Sequence, residues 1–109
     1  MKIYITAIII FIGIIACGGG GDKSTEGALS ESELRGEKIF LKYCVTCHGK
    51  DGKLGLNGSK DINISTLSFQ ERILLVTNGK NTMTPFKGIL SDAEIADVVA
   101  YSMTFKGDK

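Results

Sequence analysis

The chain has 109 residues, a formal net charge of +1 at pH 7, and three cysteines beside a single histidine. That length holds one domain at most. The near-balanced charge, with no arginine cluster, excludes an electrostatic footprint for nucleic acid.

Lys2 is followed by an almost unbroken apolar run, IYITAIIIFIGIIA, which ends at Cys17. A positive start, a short apolar core and a small residue before the break mark a secretory signal over residues 1–16. The run is short for a membrane span, which takes about 20 residues. IIAC, Ile14 to Cys17, resembles the lipobox of bacterial lipoproteins. That resemblance implies that Cys17 becomes the lipidated first residue of the mature chain. An uncleaved anchor helix is the alternative, and it too tethers the domain outside the cytoplasm. Part of the positive mean hydropathy of +0.13 comes from this segment. Loss of Lys2 leaves 12 basic side chains against 12 acidic ones. With Cys17 given to lipid, the odd cysteine count becomes one pair, Cys44 and Cys47.

Residues 17–29 place four glycines directly after Cys17 and carry few apolar groups. They read as a flexible tether, with a reach of roughly 15–20 Å by coil statistics. The domain proper is 30–109. A unit of that size usually needs a staple or a cofactor to be stable.

Three helices follow in order, each opened by serine with glutamate three residues later. Ser30 and Glu33 open the first, which runs to about Tyr43 with Leu34, Ile39 and Phe40 available for an inner face. Ser68 and Glu71 open the second, with Ile73, Leu74 and Val76 apolar and Asn78-Gly79 as its stop; a strand around VTNGK is the weaker alternative. Ser91 and Glu94 open the third, where Ile95, Val98, Val99 and Met103 recur at helical spacing and Asp92, Glu94 and Asp97 read as its solvated face. The stretches between them, Gly49–Leu67 and Lys80–Leu90, show no period. The expected class is all-α, with loops long enough to wrap around something.

The chemistry concentrates in CVTCHG, Cys44 to Gly49. A thioredoxin-like thiol pair needs a preceding strand, and none is indicated before Cys44. A structural zinc site needs a fourth ligand, yet no cysteine or histidine remains downstream. The third reading is covalent haem attachment: both thiols add to vinyl groups and His48 ligates the iron. In an exported chain whose only histidine lies in the motif, this reading is the strongest.

Together with its surroundings the motif resembles the small class I cytochromes c, over roughly Glu33 to Phe105. In that family a first helix carries a glycine and an aromatic ahead of the haem motif, matched here by Gly36 and Phe40 in RGEKIFLKYCVTCHG. A last helix carries an aromatic that packs across them, matched by Tyr101 in EIADVVAYSM. The resemblance implies a cytochrome c-like fold of three main helices around one covalent haem c. It also implies a methionine ligand from the loop before the last helix, where NTMTPF offers Met83. Many family members place a proline after the motif whose carbonyl accepts the imidazole proton. Here LGLNGSKDI has none, and a backbone carbonyl near Leu56–Ser59 is expected to serve.

Residue chemistry also favours Met83. Met103 sits on the apolar stripe and reads as core filler, whereas Met83 lies in a polar loop beside Pro85. Leu54, Leu56, Leu67, Leu74, Leu75, Phe86 and Ile89 are candidate liners of the haem pocket. With both axial positions filled there is no open site for a small-molecule substrate, and the sole histidine is committed to iron. The expected function is therefore not enzymatic. It is one-electron transfer by a lipid-anchored haem protein outside the cytoplasm, facing the periplasm. Its expected partners are redox proteins, membrane-bound ones in particular. Lys42, Lys50, Lys53, Lys80 and Lys87 are candidates to steer an acidic partner. A gas or redox sensor, a haem subunit of a larger oxidoreductase, and a haem-free structural lipoprotein are the rival readings.

Overall fold

The computed structural model describes residues 27–106. The signal segment 1–16, the lipidation site Cys17 and most of the tether lie outside the described residues. Four α-helices follow in order: α1 (Glu31–Tyr43), α2 (Val45–His48), α3 (Phe69–Asn78) and α4 (Asp92–Ser102), with a 3₁₀ turn at Leu56–Gly58. No β-strand occurs among the described residues, only two isolated bridges.

The three long helices start where local chemistry satisfies their first amides. Ser30, Ser68 and Ser91 each accept from the backbone of the glutamate three residues on, and each glutamate side chain accepts in return from the serine N–H. α3 ends at Asn78 because Gly79 takes φ +67°, and a side chain there would meet Pro85 N at 2.7 Å.

α1 crosses α4 at Gly36. A Cβ at that position would collide with the Asp97 carbonyl and lie 2.9 Å from the Tyr101 Cβ. Phe40, one turn on, is 2% exposed and meets the Tyr101 ring edge-on at 5.4 Å. Phe105 closes the group, 5.2 Å from Phe40 and 5.3 Å from Tyr101. Phe86, Leu90, Ile95 and Val99 form the core beside this crossing, flanked by Ile39, Tyr43, Ile73 and Val76.

The structure corrects several sequence expectations. Asp97 is not solvated: it is 9% exposed and receives Arg35 Nε at 2.7 Å and Ser32 Oγ at 2.6 Å, clamping α4 to α1. Its carboxyl is held below the usual range, chiefly by the Arg35 hydrogen bond with Ser32 assisting. Leu34 is 46% exposed, because Gly36 and Phe40 take the inner face of α1. Met103 is no core filler; it caps the end of α4 and is exposed.

Candidate functional site

α1 and α2 share a joint at Cys44, which caps the first and opens the second. His48 N donates to Cys44 O at 3.0 Å, so Cys44, Cys47 and His48 stand at i, i+3 and i+4 of one turn. That spacing puts three side chains on one side of a helix. All three line a cavity of about 550 Å³. Burial pushes the Cys44 thiol up to about 11, with Cys47 adding in the same direction. A redox-active pair would need the opposite shift. Among the described residues no three His, Cys, Asp or Glu side chains converge in the manner of a metal-ion cage.

The loop after α2 fixes the imidazole. His48 Nδ1 lies 3.0 Å from Lys60 O, and since a carbonyl only accepts, Nδ1 carries the proton. Nε2 is left unprotonated and available to a metal. Ser59 Oγ donates to Cys47 O at 2.6 Å, stitching the same loop to the same turn. The accepting carbonyl therefore belongs to Lys60, directly after Leu56–Ser59, near which it was expected. A backbone acceptor other than proline leaves no trace in residue identity, which is why the sequence placed it only approximately.

Met83 arrives from the loop between α3 and α4. Met83 N donates to Lys80 O at 2.9 Å, and Phe86 N and Lys87 N donate to Val76 O and Thr77 O, laying the loop along α3. Thr82 Oγ1 donates to Asn57 O at 2.9 Å, joining the Met83 loop to the loop after α2. Met83 is half-buried and lines the same cavity as His48. A second lobe of about 380 Å³ shares His48, Met83, Lys60, Leu67 and Leu75 with the first and contains neither cysteine.

Of the apolar liners, Leu56, Leu67, Leu75 and Phe86 face the cavity. Leu54, Leu74 and Ile89 do not, and each is more than half exposed. Arg72, which the sequence reading passed over, lines the second lobe. Two thiols, a tautomer-fixed imidazole, a thioether and apolar walls around one cavity fit a covalently held haem.

Residues 31–101 match the family described as cytochrome C oxidase, cbb3-type, subunit III. The chain is 37% identical over 83 residues to a cytochrome c6-like protein of Nostoc sp. strain PCC 7120, a match covering 71% of this chain and 74% of that protein. It is 39% identical over 80 residues to a cytochrome c6 of the same organism, covering 68% and 71% respectively. Among solved structures, the c-type cytochrome KustC0563 superposes with a TM-score of 0.59 at 30% identity, over 66% of this chain and 98% of that one. Cytochrome c6 from the diatom Phaeodactylum tricornutum gives 0.54 at 32% identity, over 65% and 90%.

Proposed function

The chain belongs to the small monohaem class I cytochromes c and carries one covalently bound haem c, and we propose that it is a one-electron carrier held by lipid outside the cytoplasm. The observation that carries this reading is that His48 and Met83, from separate segments, line both lobes of one cavity. His48 and Met83 would both be ligands of the haem iron, leaving it no open position for a substrate, and electron transfer would be the chemistry that remains.

The haem supplies the Fe(III)/Fe(II) couple. Cys44 and Cys47 would hold the haem through thioether bonds, formed by addition of each S–H across a vinyl group, at the α1–α2 joint. Lys60 O holds His48 in the tautomer that presents Nε2 to the metal. Met83 offers a soft sulfur that favours the ferrous state and raises the potential. Leu67, Leu75 and Phe86 keep the surroundings apolar, which disfavours the extra charge of ferric iron. Lys42, Lys50, Lys53, Lys80 and Lys87 are all exposed and would steer an acidic redox partner, membrane-bound by our reading. Cys17 would carry the lipid, with the glycine-rich segment giving the domain room to turn. Restricting it to the membrane surface raises its effective concentration towards such a partner.

Optical spectra of the exported protein, oxidised and reduced, test the site. The wild type should be low-spin in both states. Met83→Ala should lose the weak sulfur-to-iron band at the red end and bind CO when reduced. An unchanged spectrum in that variant would remove Met83 from the coordination sphere. The mass of the mature protein tests the anchor, which requires a diacylated Cys17 at the N-terminus.

A further inference from the structure

Arg72 is the one buried cation among the described residues, 7% exposed, and no carboxylate pairs with it. Its acceptors are all neutral. Nε donates to Leu67 O at 3.3 Å, Nη1 to Ser102 O and Ser102 Oγ at 2.7 and 3.1 Å, and Nη2 to Ser65 O at 3.4 Å. A guanidinium has five N–H groups, so one on Nη2 is left over. Burying a charge without a counter-charge is costly, and burial alone lowers the Arg72 pKa.

The two acids on the cavity wall are engaged elsewhere. Asp61 Oδ1 accepts from Asn63 N and Nδ2 at 2.8 and 3.0 Å. Glu71 Oε2 accepts from Ser68 N at 2.8 Å. Lys60, Lys80, Tyr43 and His48 are the other titratable groups on the wall besides the two thiols.

The position of Arg72 in the cavity indicates what completes it. Both cysteines line the larger lobe, His48 and Met83 line both lobes, and Arg72 lines only the smaller one. In haem the two vinyl-bearing pyrroles are neighbours, and the two carboxylate arms hang from the other pair. A porphyrin held at its vinyl edge by Cys44 and Cys47, with His48 and Met83 as ligands of its iron, would extend its carboxylate edge into the lobe that holds Arg72.

We propose that Arg72 is the internal cation that receives one haem carboxylate, so that the guanidinium orients the far edge of the porphyrin. This rests on the haem reading above. Arg72 then acts as a positioning residue with an electrostatic signature. It keeps that carboxylate ionised in both oxidation states across neutral pH.

Spectroelectrochemical titration of the holoprotein tests the pairing. In the wild type the midpoint potential should be flat between about pH 5 and pH 8, above the ordinary carboxyl range. In Arg72→Met the carboxylate pKa should rise into that window, and the potential should fall as pH rises, because the newly formed anion favours ferric iron. Arg72→Lys should restore most of the flat profile. A brace that merely joins Ser65, Leu67 and Ser102 predicts lower thermal stability in Arg72→Met with the wild-type pH profile, and that result overturns the proposal. Wild-type protein carrying carboxyl-labelled haem gives a reading that needs no variant. One carboxyl resonance should stay unmoved down to acid pH while the other titrates, and two ordinary titrations overturn the pairing. A colourless purified protein would overturn the haem reading itself, an outcome distinct from either of these.

Discussion

The α1–α4 crossing and the loops around the cavity are built on opposite plans. At the crossing, Gly36 lets two backbones touch, Phe40, Tyr101 and Phe105 fill the gap, and Arg35 and Ser32 clamp Asp97. Every one of those contacts is made by the chain with itself. Around the cavity, order comes from single hydrogen bonds to backbone, such as His48 to Lys60 O and Thr82 to Asn57 O, while Ile64 and Leu56 remain open on its wall. The first region is complete as a polypeptide structure; the second, on the proposed reading, would be completed by the haem. Stability in so small a protein is therefore divided between chain and cofactor.

The division is broken most completely by removing the haem. A Cys44→Ala/Cys47→Ala chain should lose amide-exchange protection throughout residues 49–68 and 80–90, while α1 and α4 keep part of theirs. Uniform loss would mean that the crossing does not stand alone. Gly36→Val attacks the other side. With the Asp97 carbonyl and Tyr101 Cβ in its way, it should cost at least about 3 kcal/mol, read as a large fall in denaturation midpoint or as failure to accumulate.

Asp97→Asn is milder, on the order of 1–3 kcal/mol at neutral pH from lost charge-assisted hydrogen bonds. Because the folded carboxyl lies below its unfolded value, its contribution is present above the ordinary carboxyl range and is lost as pH falls through the folded pKa. Wild-type and Asn melting temperatures should therefore converge in acid; a gap that stays constant with pH would remove the ion pair as its cause. Ser59→Ala takes one hydrogen bond from the loop that holds His48, about 1 kcal/mol, and should perturb the haem spectrum more than the α1–α4 melt. Ser68→Ala removes the α3 cap for about 1 kcal/mol and should leave the spectrum untouched.

What was legible in the sequence follows from how far each interaction reaches. Capping boxes span three residues, and Ser30, Ser68 and Ser91 begin their helices as the pattern predicts. The Cys44–Cys47–His48 turn is equally local. Asp97 was misread because its partners, Ser32 and Arg35, lie 65 and 62 residues away, and nothing in DAEIADVV distinguishes it from Asp92. Met103 keeps the helical spacing of the stripe but falls at the last turn, where α4 has left the core. Lys60 contributes a carbonyl, which every residue has, and nothing in SFQERILL marks the Arg72 charge as a buried one.

Cys44 caps α1 and opens α2, and on the proposed reading it is also the first point of attachment for the pigment. The porphyrin would consequently be anchored to the helix that forms the crossing, while Met83 is borne by a separate span fastened to α3 and Asn57. A fluctuation that lifts that span would then uncover the metal from one side only and leave the dye in register with the frame. Small exogenous ligands such as cyanide or imidazole should thus displace sulfur and not nitrogen, at a rate set by how often the span opens.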